Sequence, residues 1–127
     1  MSIAAEQVSK RFGPVQALNS ATLAFGENKI YGLLGRNGAG KSTLLNILTG
    51  RIFPDSGTVT VDGAPVPDSD AALSQLYLMS EKLYYPESMK VKDAFRWGAC
   101  FYPQFDLDFA YSLAGAFQLG LNARVSK

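Results

Sequence analysis

The sequence predicts an α/β fold, and three observations support this prediction. A glycine-rich stretch, residues 35–43, follows a short apolar run and precedes a helix-like run. Strand-like segments separated by turn signals fill the first two-thirds of the chain, and two amphipathic helical patterns fill the last third. The 127 residues, 47% of them hydrophobic and 18% charged, are enough for one globular domain with a modest core.

Three strands are predicted before the glycine-rich stretch. Residues 3–12 alternate weakly between apolar and polar side chains, and a turn signal at Gly13 follows. Residues 17–25 alternate more clearly, which indicates a second strand. Residues 30–34 are short and continuously apolar, a pattern typical of a strand buried on both faces.

The elements after the glycine-rich stretch follow from turn and periodicity signals. Residues 44–49 predict a mostly buried helix that ends at Gly50. Helical spacing begins at Val91 and stops at Pro103, and it begins again after Asp106, a candidate N-cap. Between Gly50 and Val91 the sequence predicts four further elements. They are a turn at 54–57, a strand at 58–61, a helical turn at 71–75 capped by Asp68 or Ser69, and a second buried strand at 76–80.

The glycine-rich stretch fits the phosphate-binding pattern G-x-x-x-x-G-K-[ST], the P-loop. Its glycines let backbone N–H groups turn toward a phosphate, and the following helix adds free N–H groups and the positive end of its dipole. Lys41 would reach the β- and γ-phosphates, the Ser42 hydroxyl would ligate Mg²⁺, and Thr43 would contact the α-phosphate side. The alternative is a glycine-rich turn that only precedes a helix.

Composition excludes several classes of function. The net charge of +1 gives no electrostatic drive toward nucleic acid. No apolar run reaches the ~20 residues of a membrane span, and the first residues lack a signal-peptide pattern, so a cytoplasmic location is expected. The absence of histidine excludes a histidine base or metal ligand. Cys100, the only cysteine, is expected to be a buried, inert thiol.

The order of these signals resembles the ATP-binding domain of ABC transporters. Residues 35–45 are similar to that family's P-loop, and residues 54–63 resemble the hairpin that follows it. Phe12 and Gly13 precede Ala17 and Leu18 at the spacing of the family's adenine-binding A-loop. The resemblance extends over nearly the whole chain and implies a P-loop fold of the ABC type, with an antiparallel β part, a P-loop strand and helix, and a mostly helical part.

The resemblance also implies ATP and Mg²⁺ as ligands and assigns the site residues. Phe12 would stack on adenine, where the family more often has Tyr; the alternative is a core aromatic at a strand end. Glu81 falls at the Q-loop position, where Gln is usual, and would ligate Mg²⁺ and sense the nucleotide state; the alternative is a solvated loop acid. The phosphate-binding residues would be Gly35, Arg36, Asn37, Gly38, Ala39, Gly40, Lys41, Ser42 and Thr43.

In the family, the signature motif, Walker B aspartate, catalytic glutamate and switch histidine lie downstream of the second helix, and this sequence reaches residue 127 about where the signature motif is expected to begin. The resemblance therefore identifies residues 1–127 as an amino-terminal part of such a domain, with no complete catalytic set, and implies nucleotide binding without efficient hydrolysis. Strand edges and apolar surface are then expected to be exposed, with marginal stability or self-association. Two parts are expected: a nucleotide-binding core at 1–88 and the start of a helical subdomain at 89–127.

The family resemblance implies two partners and no nucleic acid. One is a separate transmembrane permease, which would hold the subunit at the inner face of the membrane; the other is a second ATP-binding domain. Permease contacts are expected within residues 81–102, where Tyr84, Tyr85, Trp97 and Phe101 are aromatic candidates; the alternative is that they fill a core. Glu81 together with residues 84–86 resembles the subgroup that serves ABC-2-type exporters.

Other functions stay open from the sequence. The chain would be a nucleotide-binding module only, or part of a soluble ABC-type ATPase of translation or DNA repair, against which the near-neutral charge argues. A nucleoside kinase would leave Phe12 and the hairpin at 54–63 unexplained.

Overall fold

A computed structural model describes residues 1–80 and 85–125. The chain divides into two compact units, Met1–Met79 and Ser80–Lys127. The division into a nucleotide-binding core at 1–88 and a helical part at 89–127 stays a prediction. The first unit contains β1 (Ile3–Phe12), β2 (Val15–Phe25), α1 (Lys41–Leu48), β3 (Ser56–Val61), β4 (Ala64–Pro65) and α2 (Asp70–Leu73), and the second contains α3 (Val91–Phe101) and α4 (Leu107–Ala116).

An antiparallel sheet of four strands in the order β2-β1-β3-β4 forms the first unit. β1 is the central long strand: it pairs with β2 on one side, from Ile3 opposite Phe25 to Phe12 opposite Val15. On its other side it pairs with β3, from Ile3 opposite Val61 to Ser9 opposite Ser56. The last three residues of β1 therefore have a strand partner on one side only.

A bulge in β1 explains its weak alternation of apolar residues. Ala5 and Val8 are both fully buried, although residues three apart point to opposite faces of a regular strand. Gln7, with φ of 51°, lies at the register shift between them and returns Val8 to the core face. The bulged backbone leaves no space beside Gly57: a Cβ there would overlap the carbonyl oxygens of Glu6 and Gln7.

Helix α1 packs one face on this sheet. Its buried residues, Leu44, Ile47 and Leu48, follow the i, i+3, i+4 spacing of an amphipathic helix. Ile47 and Val8 are among the largest fully buried side chains. The core consists of Ala5, Val8, Leu44, Ile47, Leu48, Val59, Val61, Val66 and Ala72.

Two aspartates join β1 to the flanks of β3. Before β3, the Asp55 N–H donates to the carbonyl of Ser9 (2.9 Å), and its carboxylate accepts from the Arg11 N–H (2.7 Å) and the Lys10 ammonium (2.7 Å). After β3, the Asp62 N–H donates to the carbonyl of Ser2 (2.9 Å), and its carboxylate accepts from the Ser2 N–H (2.7 Å). Backbone and side chain of each aspartate thus hold opposite ends of β1.

The second unit is a helix pair with an aromatic centre. The Phe95 ring lies 6.4 Å from the Phe105 ring and 5.8 Å from the Tyr111 ring, centroid to centroid. The Asp106 carboxylate accepts from the Phe109 N–H (2.8 Å), which confirms the predicted N-cap of α4. Of the helices in the described ranges, none combines the length and the apolarity that a membrane crossing requires.

Three predictions from the sequence are wrong. Residues 30–34 and 76–80 form no strand, and several of their apolar side chains are exposed: Ile30, Leu34 and Met79 are 103%, 93% and 83% accessible. Strand pairing requires a neighbouring strand, and the four-stranded sheet offers these segments none. Cys100 is exposed, not buried: of the residues of α3, Val91 is the one that is buried.

Helix and strand bounds elsewhere differ by a few residues from the prediction. β2 and β3 each begin two residues earlier than their alternation indicated. Ser69, one of the two candidate caps, is the N-cap of α2: its hydroxyl accepts from the Ala72 N–H (3.2 Å).

Replacing Gly57 with alanine should destabilise the sheet more than the same change at Gly63. Both glycines have left-handed backbones, with φ of 86° and 81°, but only Gly57 lies against backbone atoms. We expect Gly63→Ala to lower the free energy of unfolding by about 1 kcal/mol and Gly57→Ala by about 3 kcal/mol or more. Urea unfolding measures both values, and equal losses would contradict the tight packing at Gly57.

Acid should weaken the attachment of β1. The hydrogen bond from Lys10 is the main cause that lowers the pKa of Asp55, and the N–H of Ser2 is the main cause that lowers the pKa of Asp62. Because these pKa values are lower in the folded chain, the carboxylates stabilise it above about pH 4, and this contribution is lost as pH falls through the folded-state values.

Asp55→Asn and Asp62→Asn should each be less stable than the wild-type chain at pH 7, and the difference should disappear as pH falls through the lowered pKa values of the folded chain. Denaturant unfolding at a series of pH values measures this convergence. A constant difference between variant and wild type at all pH values would show that the carboxylate charge does not contribute.

Candidate functional site

The candidate site is the loop of residues 35–40 and the first turn of α1. Gly40 is the N-cap of α1 with φ of 84°, and it supplies no side chain to accept from the first-turn N–H groups. The first turn also contains no acidic residue. These N–H groups and the positive end of the helix dipole are therefore available to an anion.

Lys41 spans the mouth of this loop. Its ammonium donates to the carbonyl of Gly35 (2.6 Å) and to the carbonyl of Arg36 (2.9 Å). The Ala39 N–H donates to the same Arg36 carbonyl (3.1 Å) and closes the turn beneath it. The lysine charge is thus held over the loop by neutral carbonyls, and an anionic ligand would be a stronger partner for it.

The loop is fixed against β2 at Gly40. A Cβ on Gly40 would overlap the Ala17 carbonyl oxygen and would lie 3.1 Å from a methyl group of Leu18. Both the left-handed backbone and this contact require glycine here. The contact places the loop of residues 35–40 beside the β1–β2 hairpin.

Phe12 lies at the end of this hairpin where its two strands meet. It pairs with Val15, two residues along β2 from Ala17, which is roughly 7 Å of strand. Its ring is 49% exposed, so it is not the core aromatic of the alternative interpretation. The Lys10 ammonium lies 5.6 Å from the ring centroid, over one face of the ring.

The predicted metal ligands are only partly described. Ser42 lies in the first turn of α1 and is exposed, while its carbonyl accepts from the Asn46 side-chain amide (2.8 Å). Thr43 is half-buried. Glu81 lies outside the described residues, so its predicted part in the site stays a prediction. Residues 35–43 lie together as one loop and helix start, and Gly40 lies against the hairpin whose strands meet at Phe12 and Val15.

The residues present fit a triphosphate and Mg²⁺. A Cβ on Gly38 would meet no atom within 4 Å, so the loop surface is open at this position and offers space to a ligand. Within the ranges that the structure describes, no group of three or more His, Cys, Asp or Glu side chains could hold a metal by itself. A bound Mg²⁺ would accordingly depend on the Ser42 hydroxyl together with phosphate oxygens, which is the usual mode for this ion.

Two residues of this region were not found from the sequence: Lys10 and Asp55. Lys10 is two positions before Phe12 in one strand, and this spacing was a signal for a shared face. Asp55 appeared only as part of a turn. Its ion pair with Lys10 joins positions far apart in the chain, and no local pattern indicates such a pair.

Comparison with curated proteins finds import ATP-binding proteins. The chain is 40% identical over 92 residues to the ribose import ATP-binding protein RbsA of Cereibacter sphaeroides. It is also 40% identical over 91 residues to the arabinose import ATP-binding protein AraG 1 of Burkholderia ambifaria. Each match covers 69% of this chain and 18% of the relative, so the chain spans less than a fifth of their length.

Comparison with solved structures shows the fold. An ATP-binding subunit of an ABC transporter superposes with a TM-score of 0.83 at 21% identity, over 98% of this chain and 54% of that one. A putative ABC transporter ATP-binding protein from Pyrococcus furiosus gives a TM-score of 0.79 at 18% identity, over 98% of this chain and 62% of that one. The P-loop fold of the ABC type that the sequence predicted is confirmed, and this chain covers part of the full domain.

The sequence profile of the family described as ABC transporter matches residues 18–111, which is most of the chain. The match begins in β2 and includes the whole loop around Lys41. It agrees with the fold comparison and with the curated relatives. The chain therefore belongs to the ABC transporter family, as part of its ATP-binding domain.

Proposed function

We propose that this chain binds MgATP as the nucleotide-binding part of a subunit that powers transport. The observation that supports this most strongly is the position of Lys41, whose ammonium lies over the loop at the free N-terminus of α1. The dipole of α1, its first-turn N–H groups and the Lys41 ammonium all lie at the loop before α1. A triphosphate has the negative charge and the size that suit these groups.

Each site residue has a separate task in this proposal. Lys41 exchanges its two carbonyl partners for phosphate oxygens, which are stronger acceptors because they are charged. The first-turn N–H groups of α1 hold the phosphates in place, and Ser42 orients its hydroxyl toward the metal. Bound Mg²⁺ supplies neutralisation of phosphate charge. Phe12 offers one open face to the adenine ring.

Hydrolysis requires a base or water-positioning group beside the terminal phosphate. The proposal assigns none of the described residues to this task, since the first turn of α1 has no acidic residue and Glu81 is outside the described ranges. We therefore propose that residues 1–127 bind nucleotide without efficient turnover, and that hydrolysis requires the further residues of a full ATP-binding domain paired with a second such domain.

The proposed membrane partner is a permease, which would bring the subunit to the inner face of the membrane. Trp97 and Phe101 support a contact surface on α3: they are 50% and 73% exposed, and their rings stack edge to face at 6.4 Å. The names of the curated relatives favour import. The exporter subgroup was predicted from Glu81 and residues 84–86. Glu81 and residue 84 lie outside the described residues, and the subgroup stays a prediction.

Lys41→Ala should weaken nucleotide binding strongly. Loss of two charge-assisted contacts to phosphate should lower the affinities for MgATP and for ADP by about 30-fold or more. Calorimetric titration measures both affinities, and an ATP turnover assay on the same preparation measures hydrolysis. Lys29→Ala is the matched control, because it removes the same charge beside Phe25, at the other end of β2 from Ala17.

The proposal predicts binding by the wild-type chain and by Lys29→Ala, with no turnover by any variant. Turnover that depends on Lys41 would contradict the proposal that residues 1–127 bind nucleotide without efficient hydrolysis. Equal affinity of Lys41→Ala and Lys29→Ala would remove Lys41 from the phosphate site.

A further inference from the structure

We infer that Asp55 and Lys10 are positioning residues that hold Phe12 as a one-sided stacking platform for the nucleotide base. The inference rests on the proposed nucleotide site and adds to it a specificity device outside the phosphate-binding loop. Asp55 contacts Lys10, and Lys10 covers one face of the Phe12 ring. The chain of contacts is carboxylate, ammonium and aromatic ring.

The first step of the argument is that β1 needs support at its end. The ladder between β1 and β3 stops at Ser9 opposite Ser56, and beyond it Lys10, Arg11 and Phe12 have only β2 beside them. Asp55 takes the place of the missing strand partner: its carboxylate accepts from the Arg11 N–H at 2.7 Å. This side chain therefore fixes the backbone of the residue that precedes Phe12.

The second step concerns Lys10. Its side chain is only 18% exposed, and its ammonium lies 2.7 Å from the second carboxylate oxygen of Asp55. From there it lies 5.6 Å from the Phe12 ring centroid, within the range of a cation–π interaction. With one face occupied by the ammonium, the ring has one face left for a base.

The third step is that Asp55 and Lys10 contribute to the orientation of the Phe12 ring. The Asp55 carboxylate is about half exposed, and ion pairs of this kind contribute little to folding free energy. A ring that is half exposed at a strand end would otherwise lose rotational freedom when a base stacks on it, which weakens binding. Asp55 and Lys10 restrict the ring before the base arrives.

The test compares two ligands that differ in the base. MgATP carries adenine, and magnesium tripolyphosphate carries the phosphates alone. Calorimetry gives the ratio of their affinities for the wild-type chain and for Phe12→Ala, which should reduce the ratio about tenfold. Asp55→Asn and Lys10→Met should each reduce it about three- to fivefold with tripolyphosphate affinity unchanged, whereas Lys10→Arg, which keeps the cation, should preserve it.

Asp62→Asn is the matched control, because Asp62 holds the opposite end of β1 in the same way. It should leave both affinities unchanged. If Asp55→Asn lowered the affinities for both ligands to the same extent, the sheet would have loosened generally and the inference would be overturned. The same holds if Asp55→Asn and Asp62→Asn changed the affinity ratio equally. An unchanged ratio in both Asp55→Asn and Lys10→Met would also overturn it.

The outcomes separate this inference from the proposed function. Failure of the wild-type chain to bind either ligand would overturn the nucleotide site itself and the inference with it. An unchanged ratio in Phe12→Ala would remove the platform while leaving the phosphate site intact. Normal wild-type binding with no effect of the Asp55 and Lys10 variants would overturn only the positioning role.

Discussion

The contact of Gly40 with the Ala17 carbonyl fixes the position of everything else in the site. A loop of glycines and polar residues has no apolar surface to hold it in place, so it needs a rigid neighbour. At Gly40 the backbone is left-handed and lies directly on β2, which leaves no room for a Cβ. Helix α1 begins at the next residue, and its N-terminus is therefore aimed by the sheet.

This constraint extends into the sheet through β1. Val8 enters the core only because the bulge at Gln7 shifts the alternation by one position, and the bulge fits only against a glycine at 57. Val8 belongs to the same core as Ile47 of α1. Packing of α1, the bulge in β1 and the turn before β3 are in this way parts of one arrangement, and its polar ends are tied by Asp55 and Asp62.

The extended segment at 30–34 connects the sheet to the loop without pairing. Tyr31 alone is tied to the sheet: its ring packs edge to face on Phe25 at 5.1 Å, and its hydroxyl accepts from the Gly26 N–H (2.7 Å). An apolar cavity of about 250 Å³ lies beside it, lined in part by Ile3, Phe25 and Leu48. Ile30 and Leu34, which are exposed, continue this apolar character along the segment.

The sequence by itself determined the family, from signals spread over most of the chain. It also determined the glycine-rich loop, the helix that follows it and the N-cap at Asp106, and it left Asp68 and Ser69 open as the N-cap of α2. The loop, the helix and the caps depend on residues close together in the chain, because helix caps and glycine-rich turns are made by local hydrogen bonds. Only the tertiary structure decided that residues 30–34 lie exposed and that Asp55 supports the strand end at Phe12. Strand pairing, burial and ion pairs join residues distant in sequence, and their outcome depends on which neighbours the fold provides.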